Sequence, residues 1–252
     1  MYDLLPTPIL GLSFGRPDIP NTFLQQLKDS KVIDTLSYSM FFKQQTGGEP
    51  GKLVVEDSAS SAHETLHLPL WRIPNFNCKV CVPITSITFT RDDTHVEESS
   101  SRGLSGAFST SPSSSVPLKL ALFDTGTSVI DMPQETFDAV VRETRAAITA
   151  HNPTDRAERV LWHESDVPGW RIRRKYVQFL PTIVYSLIMR GDRTADIRIT
   201  PEHYIESCTD SGCRAHVYVN DGPRICLGKP FFRAYAAHVN LERKMLSITP
   251  HR

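Results

Sequence analysis

The residues best suited to chemistry in this 252-residue sequence are Asp124, Thr125, Gly126, Thr127 and Ser128, which follow the apolar run Leu120-Ala121-Leu122-Phe123. Gly126 permits a tight turn that brings backbone N–H groups up to the Asp124 carboxylate. Thr125 and Thr127 supply hydroxyl donors that can fix it. Two carboxylates held about 3 Å apart cannot both ionise, so they share one proton. The ionised member of such a pair can take a proton from water. The protonated member can polarise an amide carbonyl and then protonate the leaving nitrogen, with no covalent intermediate. The sequence contains one Asp-Thr-Gly, and so spells one half of that arrangement. Taken alone, the tripeptide also fits a surface turn without function.

His63-Glu64-Thr65-Leu66-His67 spells a second hydrolytic pattern, HExxH. On a helix the two histidines would share a zinc ion, with the glutamate as general base. Here Leu66, Leu68 and Leu70 alternate with His67, Pro69 and Trp71, which predicts an edge strand tolerant of proline. Four residues of strand separate His63 from His67 by roughly 13 Å, too far to share one zinc. No metal is expected there. The five cysteines are Cys78, Cys81, Cys208, Cys213 and Cys226. Local disulfides Cys78–Cys81 and Cys208–Cys213, with Cys226 left over, fit an oxidising compartment. Free structural cysteines fit equally, and a four-cysteine zinc site of irregular spacing is a third reading.

These groups need elements to hold them. Leu118 to Phe123 reads as the strand that delivers Asp124, and Val129-Ile130 continues past the turn. Asp131 is placed to N-cap a helix beginning at Pro133, with Glu135 in its first turn. Phe137, Val140, Val141, Thr144 and Ile148 share one face of that helix. About a hundred residues later Ile225-Cys226-Leu227 forms a buried strand ending at Gly228, followed by a short helical segment from Phe231 to Tyr235. Further strands are expected at Pro8–Phe14, Ser37–Phe42, Lys52–Val55, Val80–Thr90, Ile183–Met189, Ile197–Ile199, Val217–Val219, His238–Leu241 and Met245–Ile248. Trp170 to Phe179 also reads as a strand, basic through Arg171, Arg173, Arg174 and Lys175, and best explained as a solvated sheet face. Asn21 to Lys28 reads as a short helix, Gly47 to Gly51 as a hairpin turn, and Gly191-Asp192 as another. Residues 97–117, rich in serine, read as a flexible hairpin insertion, or less readily as a linker. The polar connector Ser58 to Ala62 marks a lobe boundary.

Bulk properties narrow the classes. Lys+Arg 28 balance Asp+Glu 28, so no net field points to nucleic acid or an acidic membrane surface. No apolar run approaches the roughly 18 residues of a membrane-spanning helix. Eighteen prolines, thirteen glycines and many short apolar runs favour a mainly β fold with a few short helices. The segment Met1 to Pro8 lacks the basic and apolar regions of a secretion signal.

Nearly the whole chain resembles the pepsin-like family of bilobal aspartic peptidases, and specifically its C-terminal lobe. Leu122 to Ser128 is similar to the second catalytic loop, Phe179 to Tyr185 to the "LPxIxF" strand, Ile225 to Tyr235 to the "ILGDxFLRxYY" block, and Val239 to Pro250 to the closing block. Pro8 to Phe14 and Ser37 to Phe42 are similar to the end of the first lobe. The resemblance implies residues 1–60 as a remnant of the N-terminal lobe with inter-lobe strands, and residues 61–252 as the C-terminal lobe. It implies Asp124 as the second catalytic aspartate, Thr125 as a grip between two catalytic loops, and Thr127 as a donor to the carboxylate. Gly126, Thr127 and Ser128 would line the cleft floor and Leu122 an apolar pocket. The substrate would be an extended peptide or protein, with no cofactor. The first catalytic loop and its flap would come from a missing N-terminal lobe or a second chain, and the sequence is expected to be a fragment. Secretory, lysosomal, vacuolar or extracellular placement is implied. Cys226 and Lys229 stand where the family favours Ile and Asp, and Glu56-Asp57 replaces Gly-Gly. A non-catalytic pepsin-like binding or inhibitory module is the alternative, and a zinc peptidase through residues 63–67 the remote one.

Overall fold

The structure, a computed structural model, describes residues 10–15, 21–42, 51–71, 80–91, 119–154, 160–164, 167–191, 193–210 and 212–251. The first half runs α1 (Phe23–Asp29), β1 (Ser37–Phe41), β2 (Lys52–Val55), β3 (Leu66–Pro69), β4 (Cys81–Thr90), β5 (Lys119–Phe123) and β6 (Ile130–Pro133). Then come α2 (Gln134–His151), β7 (Leu161–Glu164), β8 (Val167–Ile172), a 3-10 helix (Arg174–Phe179), β9 (Thr182–Ile188) and β10 (Thr194–Ile199). The chain ends with α3 (Pro201–Tyr204), β11 (Ile205–Thr209), β12 (Gly212–Ala215), β13 (Val217–Asn220), β14 (Ile225–Leu227), α4 (Lys229–Ala234), β15 (Tyr235–Asn240) and β16 (Met245–Pro250). The fold is mainly β with a few short helices, as the composition predicts.

The strands form three sheets: β2-β1-β15-β16-β3, β10-β9-β4-β5-β14-β6-β13, and β11-β12-β8-β7. The seven-stranded sheet positions the Asp124 turn. Strands β5 and β6 flank that turn in sequence, yet they are not neighbours: β14 lies between them, parallel to β5 and antiparallel to β6. The five-stranded sheet draws β1 and β2 from one side of residue 60 and β3, β15 and β16 from the other. Its β3 is an edge strand, where Pro69 removes no donor that a neighbour needs.

Apolar packing fixes both helices near the site. Helix α2 buries Phe137, Val140, Thr144 and Ile148. The Phe137 ring lies 4.4 Å from that of Trp170, and the Thr144 hydroxyl is satisfied by the Val140 carbonyl at 2.7 Å. Glu135 in the first turn and His151 in the last suit the helix dipole. Helix α4 carries Phe231 and Phe232, both fully buried. The Phe231 ring stands edge-on to Phe123 at 4.8 Å, directly before Asp124. Each such ring contributes about 1.5–3 kcal/mol by leaving water.

Several expectations need correction. Residues 10–14 form no strand, and Leu10 is 53% exposed, because no strand among the described residues offers them a ladder. Asp131 caps nothing. It sits in β6, where pairing to β13 and β14 holds its backbone extended, and Pro133 occupies the cap position without a side-chain bond. The Asp131 carboxylate instead accepts from Asn220 Nδ2 at 2.9 Å. The strand at Trp170 ends at Ile172, and Arg174 to Phe179 turns into a 3-10 helix. Ile172, Tyr176 and Leu180 are the buried residues there, a spacing of four rather than two. Strand β1 does not alternate: Ser37 to Met40 are all buried, as suits a strand inside a sheet covered on both faces. Strands β7, β11 and β12 and helix α3 carry no clear periodic signal and were not expected. The turn at 47–50, residue 192, the Ser-rich stretch within 97–117 and Cys78 lie outside the described residues.

Candidate active site

Strand β5 delivers Asp124 from the centre of the seven-stranded sheet. The Phe123 N–H donates to the Val80 carbonyl at 2.9 Å and the Asp124 N–H to the Leu227 carbonyl at 3.2 Å. The backbone then turns over its own carboxylate. The Gly126 N–H donates to Oδ1 at 2.9 Å, and the Thr127 hydroxyl donates to Oδ2 at 3.1 Å. Each carboxylate oxygen therefore has one donor from its own turn. A Cβ on Gly126 would lie 3.2 Å from Oδ1, so the small residue lets the backbone close over the acid. Asp124 and Thr127 are half-buried, whereas Thr125, Gly126 and Ser128 are exposed.

The turn is locked from behind by the segment that follows β14. The Gly228 N–H donates to the Val129 carbonyl at 3.2 Å, and the Lys229 N–H to the Thr127 carbonyl at 2.8 Å. A Cβ on Gly228 would lie 2.2 Å from the Thr127 oxygen and 2.4 Å from the Val129 oxygen, so no other residue fits there without moving the turn. Cys226 on β14 is buried, with its thiol 3.5 Å from the Thr127 hydroxyl oxygen. Because the thiol donates to that oxygen, the Thr127 hydrogen is directed to Asp124.

The exit of the turn is held by His216, between β12 and β13. Its Nδ1 donates to the Ser128 carbonyl at 2.8 Å, and its own carbonyl accepts from the Ile130 N–H at 2.8 Å. Behind His216 stands Glu206, whose carboxyl is pulled down to about 2, mainly by the Lys229 hydrogen bond at 2.7 Å and then by the charges of His216, Lys229 and Arg233.

Asp124, Gly126 and Thr127 form one hydrogen-bonded unit, with Ser128 at its edge. Leu122 is half-buried on β5, paired with Cys81 on one side and Cys226 on the other. Thr125 is exposed, and among the described residues its hydroxyl has no partner. Cys208 and Cys213 are joined by a disulfide across the β11–β12 hairpin, which removes them from any zinc site. Cys81 is buried at the start of β4. His63 and Glu64 lie in a turn and His67 in β3, with His67 Nδ1 bonded to the Ser247 hydroxyl at 2.8 Å. The helix that a zinc-binding HExxH needs is absent there. No group of three or more metal-ligating side chains occurs among the described residues.

Sequence reasoning named the Cys226-Leu227-Gly228 strand but missed its threading between β5 and β6. It missed Glu206 and His216 altogether. They lie 78 and 88 residues beyond Ser128 in sequence, Glu206 on β11 and His216 between β12 and β13, so only the sheet pairing brings them to the turn.

The geometry can hold one carboxylate ready for proton exchange with a water. A family model described as eukaryotic aspartyl protease matches residues 7–251. No curated protein matches the chain.

Proposed function

The chain belongs to the eukaryotic aspartyl protease family, of pepsin-like type, and from that membership we propose that it is an aspartic endopeptidase chain in which Asp124 is the second catalytic aspartate. The family is one of hydrolases acting on peptide bonds. The observation that carries the finer reading is the Asp124 carboxylate, gripped on both oxygens by the Gly126 N–H and the Thr127 hydroxyl.

Asp124 would share one proton, across a water, with a second carboxylate supplied by an N-terminal lobe or a second chain. The ionised member takes a proton from the water as its oxygen attacks the scissile carbonyl carbon. The protonated member gives its proton to the carbonyl oxygen. Collapse of the resulting gem-diol breaks the C–N bond, and the leaving nitrogen takes a proton from the dyad. The exposed Gly126, Thr127 and Ser128 would line the cleft floor beneath an extended peptide or protein, and Leu122 an apolar pocket. Thr125 would face the other catalytic loop, in keeping with its exposed hydroxyl. Residues 1–60 would be the end of the N-terminal lobe with inter-lobe strands, and residues 61–252 the C-terminal lobe. The Cys208–Cys213 disulfide supports an oxidising compartment, secretory, lysosomal or extracellular. None of the described helices is long and apolar enough to cross a membrane.

The single Asp-Thr-Gly favours one other reading, a pepsin-like module that binds peptides without cleaving them. Hydrolysis of an extended peptide with apolar side chains around the cleaved bond separates the two. Cleavage with an acidic optimum, blocked by pepstatin, supports the peptidase. Peptide binding with no turnover, even with the other lobe supplied, supports the module.

A further inference from the structure

Behind the Asp124 turn, rather than in it, four polar side chains converge on one another, and of these His216 is buried. Glu206 on β11 meets Lys229, Arg233 and the His216 ring. Its Oε1 accepts from Lys229 Nζ at 2.7 Å and Arg233 Nη2 at 3.2 Å, while its Oε2 lies 2.6 Å from His216 Nε2. That last contact is close enough for an ion pair but off the line of a hydrogen bond. Arg233 is itself fixed by the His203 carbonyl at 3.1 Å. His216 is 7% exposed. Its main chain is anchored through its N–H to the Tyr204 carbonyl at 2.7 Å, and its ring nitrogens face a backbone carbonyl on one side and a carboxylate on the other. Both neighbours are acceptors: Nδ1 donates to the Ser128 carbonyl, and Nε2 faces the Glu206 carboxylate without a hydrogen bond.

We infer that Glu206 is a positioning residue for the catalytic turn, acting through His216 on the Ser128 carbonyl. The inference deepens the reading of Asp124 as a catalytic group. Lys229 and Arg233 hold the carboxylate in place. The carboxylate draws the His216 ring into one orientation, and the ring donates to Ser128. The turn is then fixed at its exit by a side chain as well as by the Ile130 N–H. The Asp124 carboxylate depends on that fixation, because its own donors are turn residues, whose backbone is held from behind by Gly228 and Lys229. The low Glu206 pKa is consistent with this, since the carboxylate remains charged in acid.

The test reads the turn itself and needs no catalytic activity, so its failure is distinct from failure of the peptidase reading. Amide hydrogen exchange is followed in the full chain for Gly126, Thr127 and Ile130, with Tyr185 and Leu187 on β9 as internal controls. Glu206→Gln keeps the size and removes the charge. His216→Phe keeps a ring and removes the donor to Ser128. Each is expected to speed exchange in the turn on the order of tenfold, with less than about twofold change on β9. In the double variant the two effects should not add, because both act through one hydrogen bond. If Glu206→Gln does not fold, Glu206→Asp, which keeps the charge and withdraws it from His216, takes its place and should give the same local pattern. Exchange that rises uniformly across turn and β9 would mean a general structural role and overturn it. Unchanged exchange in the turn, or fully additive effects, would overturn it as well.

Discussion

Residues 120–128 and residues 63–67 both carry side chains suited to hydrolysis, and the fold handles them in opposite ways. The first stretch lies at the centre of a seven-stranded sheet, with β14 threaded between the strands on either side of its turn. Its carboxylate is bonded on both oxygens, and the turn is held from behind by Gly228, Lys229 and His216. The second stretch passes from a turn into the edge strand of another sheet. Its histidines are spread along the chain, and His67 is occupied by Ser247. Residue types alone do not make a site. What distinguishes the two is whether distant segments converge on the reactive atom and restrict it.

Substitutions at the points of convergence should therefore cost far more than substitutions in the edge stretch. The largest effect is expected at Gly228→Ala, where the added carbon meets two backbone oxygens at 2.2 and 2.4 Å. Neither can move without opening the turn, so a loss above about 4 kcal/mol or failure to fold is expected in denaturant titration. Phe231→Ala should follow, at about 3–5 kcal/mol, because the buried ring under Phe123 leaves a cavity. That cavity lies beneath Asp124, so the turn should loosen more than the five-stranded sheet.

The acid behaviour of Glu206 comes next. Its folded-state pKa, about 2, lies below the ordinary 4.5. A depressed carboxyl contributes stability that is fully present above the unfolded value and is lost as pH falls through the folded one. The stability difference between the wild-type chain and Glu206→Gln should thus be largest above pH 4.5 and shrink toward pH 2, as read by urea unfolding at a series of pH values. At the small end, His63→Ala alters an exposed side chain in a turn and should change stability by less than about 0.5 kcal/mol. A large loss there, reversed by zinc, would erase the contrast between the two stretches.

Much of this was legible in the residues. The apolar run into Asp124, the glycine two places on and the hydroxyls around it foretell a carboxylate bound by its own turn, because those bonds are local. The alternation of Leu66, Leu68 and Leu70 against Pro69 foretells an edge strand and thereby rules out a helical HExxH. The helix α2 face is readable from its spacing. What was not legible depends on pairing between distant segments. Asp131 looks like a helix cap until β13 and β14 hold it in a strand. Tyr176 looks like part of a strand until its burial in step with Ile172 and Leu180 shows a helical turn. Glu206 and His216 acquire meaning only through the pairing of β11, β12 and β13, and the short sequences of β11 and β12 carry no period.

The central claim is that Asp124 exchanges the proton with the attacking water. It is tested most directly by Asp124→Asn in the protein assembled with the lobe or chain that supplies the other carboxylate. Asparagine preserves the size of the side chain and an oxygen acceptor, but it cannot serve as base. Peptide hydrolysis at acidic pH should fall by about a hundredfold to ten-thousandfold or more, with the fold intact by circular dichroism. Hydrolysis retained at the wild-type rate in Asp124→Asn would contradict the account.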